Sequence, residues 1–423
     1  MKKLFWIFIA SPVLFSARIW AQETVKDTVF LIPFADTVLL DEVVVKAHKT
    51  IPMNNRWSDL QPVDLVTVAG ANGNLYKALE TLPGTQIQGE SGRLLVRGGS
   101  SDETQTYIDG MHVLNPYTST AENIPARGRY SPFMFSGINL STGGHSQEYG
   151  EALSAVLPLE TKDNSRINKV GISPSTVGIG GGGNHAFRNA SLALNLDYQN
   201  LALYNKVYPG RIDFKKPYQM FSGATQFRYT PSGSSVFKIY VGYDRTDYSN
   251  YTDNNRYLFC LGENNVYLNS TFRTAISGGW EWFSGMAYSL FDRKVDGAVT
   301  EGDHWCEKQA ELHFKTKLSK KFHPTFRMDV GFESFLRWYE TRYSQVSVAD
   351  TKEISPTIEA VFGTVSYYPV ENLKAELSFR TEYASLARKI NFSPRLSFSY
   401  SWCDLVLSAT AGRYTQLPKV QDH

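Results

Sequence analysis

The residue types that usually carry chemistry are present in this chain, but their spacing does not predict a catalytic site. Gly178 to Gly183 satisfies the GxGxxG pattern, yet an alternating strand pattern follows it where a dinucleotide site needs a helix. The eight histidines are scattered, without the i, i+4 pairing of a helical metal site. No Gly-x-Ser-x-Gly elbow and no P-loop occurs. We therefore predict that the protein is not an enzyme and that it holds no cofactor and no metal.

A short run near the N terminus has the composition of a strand that pairs with another chain. In this run two acids precede three valines, and its residues are Asp41, Glu42, Val43, Val44 and Val45. Valines are stiff and favour extended backbone. The surrounding segment 22–60 has no clear hydrophobic period, so we interpret it as an extended lead-in. Strand addition to a partner's sheet and an ordinary strand of the protein's own first domain fit the run equally well.

Composition and patterning favour a protein that meets a membrane through strands. Aromatic residues make up 13% of the chain, with 24 Tyr and 8 Trp, which suit a membrane–water interface. No stretch beyond the N-terminal region has 18 uninterrupted apolar residues, as a membrane-spanning helix needs. The net charge of +2 gives no sign of a nucleic-acid partner.

Residues 1–21 have the pattern of a secretory signal peptide. Lys2 and Lys3 precede an apolar run from Leu4 to Phe15, and Ala21 is a small residue suited to cleavage. The apolar run is too short for a membrane anchor. Export predicts an oxidising compartment for the mature chain.

The chain has three cysteines, Cys260, Cys306 and Cys403. Their wide spacing does not predict a zinc site. A Cys260–Cys306 bridge and unpaired thiols both remain open.

Residues 61–163 have the pattern of a compact α+β domain. Asn74 to Leu82 carries apolar residues at helical spacing, and Pro83-Gly84 ends the pattern. Asp109-Gly110 indicates a tight turn between two short strands. The strands predicted in this region are Gln86 to Gln88, Leu94 to Arg97, Gln105 to Ile108, Met111 to Val113, Ser136 to Leu140 and Ala155 to Leu159.

Residues 164–423 change to strands with strict alternation. Phe326, Met328, Val330 and Phe332 share one parity, and Arg327, Asp329 and Glu333 share the other. One face therefore suits lipid and the other suits water, as in a transmembrane barrel. Short turns alternate with long polar connections near 246–265, 292–307 and 339–357. We count about twelve strands, although the first hairpins do not fit the alternation of turns.

The N-terminal motifs resemble the plug domain of TonB-dependent outer-membrane receptors, in the style of the Bacteroidetes type. The resemblance covers about 90 residues and rests on an ordered set of short motifs. These include Leu75 to Gly84, Arg93 to Gly99, Thr106 to Gly110, Glu148 to Ser154 and Leu159 to Lys162. The site residues that we take from it are Arg97, Gly98, Gly99, Tyr107, Ile108, Asp109, Gly110, Glu148, Gly150 and Glu151. The implied fold is mostly β, an α+β plug followed by an incomplete antiparallel transmembrane barrel.

The resemblance implies energised uptake of a scarce ligand across the bacterial outer membrane. The ligand classes are siderophores, corrinoids, glycans and peptides. TonB, driven by the ExbB/ExbD complex, is the implied partner, and Asp41 to Val45 becomes the candidate TonB box. Outer-membrane lipid and a surface lipoprotein are further candidate partners.

The resemblance also implies a role for Arg97. In the family, the matching arginine of the plug pairs with acids on the barrel wall, and we expect Arg97 to be buried in this way. The competing interpretation is an exposed loop arginine that contributes little to stability. The candidate partners are Glu333, Glu376 and Glu382 on strands, and Glu148 and Glu151 in the plug.

The strand count departs from the family. Plugged transporter barrels have 22 strands, and about twelve fit into residues 164–423. We therefore expect a truncated or partial barrel. The alternatives are a small self-contained barrel that acts as an adhesin or enzyme, and a non-functional fragment of which only the plug folds.

Overall fold

The computed structural model describes most of the chain between Trp57 and Leu417. The described ranges are 57–60, 62–71, 73–87, 91–119, 125–162, 168–209, 213–251, 257–345, 348–402 and 405–417. The predicted signal peptide, the candidate TonB box Asp41 to Val45 and Cys403 lie outside these ranges.

The first described unit, residues 57–162, is the predicted plug. Its helices are α1 (Pro62–Thr67) and α2 (Leu75–Leu79), with 3₁₀ turns at Ser101–Glu103 and Pro132–Met134. Its strands are β1 (Trp57–Leu60), β2 (Thr85–Ile87), β3 (Leu94–Val96), β4 (Thr104–Ile108), β5 (Met111–His112), β6 (Phe135–Ser141) and β7 (Ala155–Thr161). Five of them form one sheet in the order β1-β6-β7-β4-β5, while β2 and β3 form a separate pair.

The predicted plug elements are confirmed, with α2, β3 and β5 shorter and β4, β6 and β7 longer than predicted. Asn74 caps α2 by accepting a hydrogen bond from the backbone N–H of Tyr76 at 3.2 Å. Gly84, at φ 84°, provides the left-handed turn that follows. β1 was not predicted: residues 57–60, placed in the lead-in, pair with β6 in the plug sheet.

The second unit is a sheet of fourteen strands, which we call the barrel sheet. Its first seven strands are β8 (Lys169–Ser175), β9 (Gly178–Ala186), β10 (Ala190–Asn200), β11 (Phe214–Ser232), β12 (Ser235–Tyr251), β13 (Leu258–Ile276) and β14 (Trp280–Asp296). The others are β15 (His304–His323), β16 (Phe326–Gln345), β17 (Val348–Ile354), β18 (Thr357–Val370), β19 (Leu373–Ala384), β20 (Lys389–Trp402) and β21 (Leu405–Gly412). A short helix, α3 (Ala202–Val207), and a 3₁₀ turn, Ser277–Gly279, lie in connections.

All pairs in the barrel sheet are antiparallel, and each strand pairs with its neighbour in sequence except around β17, since β16 pairs with both β17 and β18. β8 and β21 stand at the two ends, each with one neighbour among the described strands. The sheet is therefore not closed, as expected for a partial barrel. This disfavours the alternative of a small self-contained barrel.

The predicted partial barrel is confirmed, with fourteen strands where about twelve were counted, because three strands carry little amphipathic signal. β8 is exposed throughout and contains Pro174, and β9 contains Gly180 to Gly183. β17 is polar and mostly exposed, in a segment assigned to a loop. β12 to β16 also extend into the segments predicted as long loops and reach 17 to 20 residues.

Most short turns lie at one end of the barrel sheet, which we call the turn end. These turns join β9 to β10, β11 to β12, β13 to β14, β15 to β16, β18 to β19 and β20 to β21. The other end, which we call the loop end, carries the longer connections after β10, β12 and β14. It also carries short connections from β8 to β9, from β16 to β17 and from β17 to β18, so the first hairpins do not follow the alternation.

The two faces of the barrel sheet differ as the alternation predicted. On β15, His313 and Lys315 are buried, at 0% and 1% exposure, whereas Phe314 and Leu318 are 40% and 43% exposed. The polar face contacts the plug, and the apolar face points away from it. Successive side chains of a strand point to opposite faces, so one sequence period builds both surfaces.

Two further observations concern the described residues only. None of their helices is long and apolar enough to cross a membrane. Cys260 and Cys306 are free thiols, so the structure contains no bridge between them.

Candidate functional site: the plug–barrel interface

The turn at Asp109-Gly110 anchors the plug to the barrel sheet. Both residues have positive φ, 51° and 82°, as the predicted tight turn requires. The Asp109 carboxylate accepts hydrogen bonds from the backbone N–H of Thr161 at 3.0 Å and from its hydroxyl at 2.6 Å. The same carboxylate binds the Lys238 ammonium of β12 at 3.1 Å. Asp109 thus ties two plug strands and one barrel strand together.

The strand before this turn is buried against the same wall. The Ile108 carbonyl accepts a hydrogen bond from the Asn269 amide of β13 at 2.9 Å. The Tyr107 hydroxyl donates to the Gly150 carbonyl at 3.1 Å, within the plug. Burial raises the pKa of Tyr107 well above its usual value, so its hydroxyl remains a donor.

The plug loop between β6 and β7 brings Glu151 to a barrel arginine. Arg337 of β16 donates to Glu151 at 3.2 Å and to Glu311 of β15 at 2.6 Å. The other oxygen of Glu311 lies 2.6 Å from Nδ1 of His112 in the plug. Two plug groups and two barrel groups therefore form one buried chain of polar contacts.

Hydrogen bonding fixes the orientation of the His112 ring. Its Nδ1 faces the Glu311 carboxylate, and its Nε2 faces the side-chain oxygen of Gln105 at 2.8 Å. Gln105 is oriented by donating its own N–H to the Asp102 carbonyl at 2.7 Å. The ring of His112 is therefore held between a barrel carboxylate and a plug amide.

A second buried cluster lies beside the first. Arg380 of β19 binds Glu333 of β16 at 2.7 Å and Glu382 at 3.0 Å. Nε2 of His313 lies 2.9 Å from Glu333, while its Nδ1 accepts the backbone N–H of His112 at 3.0 Å. This acceptor role leaves the proton on Nε2, where it binds Glu333. The backbone of His112 therefore connects the two clusters.

Gly150 allows the second cluster to contact the plug. A Cβ at this position would overlap the Nη2 atom of Arg380, a buried side chain whose Nη1 and Nε atoms are held by Glu333 and Glu382. Glu151, the next residue, adopts φ 57°. Only a glycine lets the loop backbone approach so closely.

Glu148 makes the third contact of this loop. Lys317 of β15 binds its carboxylate at 2.5 Å, and Lys315 donates to its carbonyl at 2.8 Å. Burial opposes ionisation of Glu148, but the two lysines outweigh it and lower the pKa to about 2. At Glu151 burial outweighs Arg337 and raises the pKa, so Glu151 takes up a proton more readily than Glu148.

The expected burial of Arg97 among carboxylates is wrong. Arg97 is exposed on the turn after β3, at φ 52°, and it forms no ion pair with a described residue. Gly98 completes the turn at φ 79°. Gly99 lies so close to Ser154 that a Cβ would overlap its hydroxyl. This motif brings two plug segments together.

The charges of the interface are thus reversed relative to the expectation. Near β15 to β19 the barrel sheet supplies the arginines, and the plug acid Glu151 joins the barrel acid Glu311 on Arg337. Of the five expected partners of Arg97, Glu333 and Glu382 bind Arg380, Glu376 binds Lys374, and the two plug acids bind barrel cations. Arg337, Arg380 and His112 were missed. The alternation along their strands places Arg337 and Arg380 on the polar face, and this pattern could have identified both arginines as interface residues.

The loop end of the interface carries two more contacts. Arg129 of the plug binds Asp244 of β12 at 2.7 Å, and both are buried. The Ser119 hydroxyl hydrogen-bonds to Glu263 of β13, which also binds Arg293 at 2.9 Å. The described residues contain no group of three or more His, Cys, Asp or Glu placed to hold a metal.

These features agree with a family comparison of the sequence. Residues 65–156 match the family model described as TonB-dependent Receptor Plug Domain. The chain therefore contains this plug domain, and together with the barrel sheet it has the plug-and-barrel fold of TonB-dependent outer-membrane receptors. The resemblance inferred from the motifs is confirmed. No curated protein matches the chain by sequence.

Solved structures of similar fold are receptors and transporters. A mutant of the ferric enterobactin receptor PfeA from Pseudomonas aeruginosa matches with a TM-score of 0.64 at 13% identity, covering 86% of this chain and 62% of that one. The copper transporter OprC matches with a TM-score of 0.66 at 12% identity, covering 86% of this chain and 65% of that one. The siderophore receptor PirA from Acinetobacter baumannii matches with a TM-score of 0.65 at 13% identity, covering 89% of this chain and 63% of that one. The chain spans less than two thirds of each. Such low identities show the fold alone.

Proposed function

We propose that this protein is an outer-membrane receptor that imports a scarce ligand when its plug is displaced by work from TonB. The observation that carries the proposal is the set of buried charge pairs joining the plug domain to the polar face of the barrel sheet. The buried pairs that join an Arg or Lys to a carboxylate across the interface include Glu151 with Arg337, Asp109 with Lys238 and Arg129 with Asp244.

Charge pairs suit an interface that must both seal and open. A buried pair has roughly the same net stability as an apolar contact of similar volume, but separating its partners in a dry site costs about 3–5 kcal/mol. Water lowers that cost as soon as it enters the gap, because it solvates both charges. The plug is thus held firmly while dry, and opening needs an external input that wets the interface.

We propose TonB, energised by ExbB/ExbD, as the source of this work. Asp41 to Val45 is the proposed TonB box, since its three valines favour a strand that pairs with a partner's sheet. Pulling on a lead-in that continues into β1 would load the plug sheet directly, because β1 pairs with β6. The outer membrane has no nucleotide supply, which is why the energy must be delivered through a partner.

The proposed ligand enters from the loop end. Solved structures of similar fold are described as receptors for ferric enterobactin and as a copper transporter, and we carry over only the general class of scarce solute. That class comprises siderophores, corrinoids, glycans and peptides. A surface lipoprotein at the loops is a further proposed partner.

The proposed location is the bacterial outer membrane, reached through the signal peptide 1–21. The support is the apolar outward face of the barrel sheet, which lipid would cover. Its exposed members include Leu268, Met286, Phe314, Phe332, Trp338, Phe379 and Phe398.

A proline in the proposed TonB box tests the coupling step. Val44→Pro removes a backbone N–H and should weaken binding of the purified periplasmic domain of TonB by at least about tenfold. Val38→Pro, outside the box, is the matched control and should bind as the wild type does. Fluorescence anisotropy with labelled TonB domain gives the affinities. Equal binding by all three proteins would exclude Asp41 to Val45 as the coupling segment.

Uptake itself is tested in cells that lack their own receptors. The probes are labelled ferric enterobactin, copper, cobalamin and a labelled oligosaccharide. The expected result is accumulation of one probe that collapses when a protonophore removes the proton gradient. Surface binding of that probe should survive in Val44→Pro while its accumulation is lost. Accumulation that persists both with the protonophore and in the Val44→Pro variant would reject energised import.

A further inference from the structure

The plug contacts one part of the barrel sheet through apolar side chains. Four buried residues of the sheet belong to the hydrophobic core of the plug, and all of them lie on β12 to β14: Tyr240, Tyr267, Phe283 and Ala287. The ring of Tyr240 stacks on Phe135 of the plug, with the ring centroids 6.2 Å apart. A Cβ on Gly285 of β14 would overlap Sδ of Met111 in the plug. We call this set of contacts the apolar contact region.

The contacts of the plug with β15 to β19 are mainly polar. Three pairs join the barrel sheet to the plug there: Glu311 with His112, Lys317 with Glu148, and Arg337 with Glu151. Arg380 adds a hydrogen bond to the carbonyl of Gln147 at 3.4 Å. We call this set of contacts the polar contact region. The plug is therefore held in two chemically different ways on the two sides.

Two charge pairs on β12 do not change this division. Lys238 binds Asp109, and Asp244 binds Arg129. Tyr240 lies between Lys238 and Asp244 on the same face of β12. These two pairs thus flank an apolar contact, and they can separate only when that contact separates with them.

Water weakens the two regions unequally. It solvates the separated partners of a charge pair and raises the local dielectric constant, so the polar contact region loses its attraction as it becomes wet. Exposing apolar surface to water is unfavourable whether or not the surrounding interface is wet. A pull on the plug should therefore separate the polar contact region while the apolar contact region still holds.

The barrel sheet beyond the polar contact region is lined by small hydroxyl side chains. On the polar face of β18 to β20, toward the turn end, the buried residues include Thr364, Ser366, Ser378, Ser397 and Ser399. Small side chains leave room in the lumen, and hydroxyls both donate and accept hydrogen bonds with a passing polar solute. This lining favours a path along β18 to β20 over one along β12 to β14, where aromatic rings pack against the plug.

We propose that the plug pivots on the apolar contact region and separates first from the polar contact region, so that a polar solute passes between the plug and β15 to β20. The passage step rests on the proposed import function, whereas the order of separation does not. The moving side of the plug is then the loop 143–154, which carries Glu148 and Glu151. The pivot comprises segments 108–111 and 130–135, which carry Met111 and Phe135.

Hydrogen exchange of the full chain in detergent micelles tests the order of separation. In increasing urea, the amides of 143–154 should lose protection before those of 108–111 and 130–135. High salt should speed exchange of 143–154 by at least about threefold, because ions screen charges at a partly wetted interface. The same salt should change exchange of 108–111 and 130–135 by less than about twofold, since apolar contacts carry no charge to screen.

Reversible tethers give the decisive comparison, in a background with the three native cysteines replaced by serine. Met111→Cys with Gly285→Cys allows a disulfide across the apolar contact region, where the two side chains would touch. Glu148→Cys with Lys317→Cys, joined by a short reducible bifunctional thiol reagent, spans the polar contact region. The first tether should leave energised uptake within about twofold of the reduced protein, and the second should reduce it at least about tenfold.

Each tethered protein has its own reduced form as the matched control, so the effect of the substitutions themselves cancels. Two results would overturn the proposal. One is loss of protection in 108–111 or 130–135 at lower urea than in 143–154. The other is uptake that is blocked by the disulfide across the apolar contact region but not by the tether across the polar one. If the reduced proteins accumulate no probe, the import function fails, and the order of separation in urea still decides where the plug opens.

Discussion

Nη1 of Arg337 lies 3.2 Å from Oε2 of Glu151, so an arginine of the barrel sheet binds a carboxylate of the plug. Nε of the same arginine lies 2.6 Å from Glu311, which in turn binds the plug histidine His112. This arrangement makes Glu311 the central acid of the interface, because it binds a barrel arginine and a plug histidine at once.

Glu311→Gln should therefore destabilise the plug strongly. The change leaves Arg337 and His112 buried with one carboxylate fewer, and we expect a loss of about 3–5 kcal/mol. Denaturant unfolding in micelles, followed by protease sensitivity of the plug, measures it. Asp296→Asn is the matched control, since Asp296 binds His304 at the same 2.6 Å but is 57% exposed. The control should lose less than about 1 kcal/mol, and equal losses would refute the central role of Glu311.

Gly150→Ala should loosen the plug through steric overlap. The new Cβ forces Nη2 of Arg380 away, and this side chain cannot move without disturbing its bonds to Glu333 and Glu382. We expect a cost of about 1–3 kcal/mol. Gly262→Ala on β13 is the control, because a Cβ there meets no atom within 4 Å. Hydrogen exchange of the 143–154 loop should rise in Gly150→Ala alone, and unchanged protection would disprove the close contact.

Replacing Arg97 should have little effect on stability. The side chain is exposed and unpaired within the described ranges, so Arg97→Gly should stay within about 0.5 kcal/mol of the wild type or gain slightly, since glycine tolerates φ 52°. Arg337→Gln is the comparison, and its loss of unfolding free energy should be several times larger. A large loss of unfolding free energy for Arg97→Gly would instead support the buried, acid-paired role that the family motif implies.

Stability should fall as the pH drops from 7 to 5, in part through His145. Burial and the nearby charge of Arg395 lower the pKa of His145 from 6.5 to about 3. The unfolded chain therefore binds a proton at pH 5 that the folded chain does not, which favours unfolding. The contribution is about 2 kcal/mol at pH 5, from 1.36 kcal/mol per pH unit below 6.5.

The test of this pH dependence compares His145→Asn with the wild type. The free energy of unfolding should change less with pH in the variant, because the buried imidazole is gone. His185→Asn, at an exposed histidine of β9, should retain the wild-type slope. Identical slopes in the wild type and His145→Asn would show that His145 is not the group responsible.

The fold was largely predictable from local pattern. The plug helix after Asn74, the turn at Asp109-Gly110 and the two faces of β15 follow from capping, from turn chemistry and from alternation. These signals act between residues close in sequence. β8, β9 and β17 were missed because exposed, glycine-rich or polar strands lack an apolar face.

The partners of the buried charges depended on the tertiary structure. The sequence determined that Arg97 sits in a plug motif and that Arg337 and Arg380 lie on the polar face of their strands. Only the folded chain decided that Arg97 is exposed, and that Glu151 meets Arg337 from 186 residues away. The physical reason is that strand parity fixes the face on which a charge lies, whereas the charge it pairs with depends on how the plug is seated against the wall.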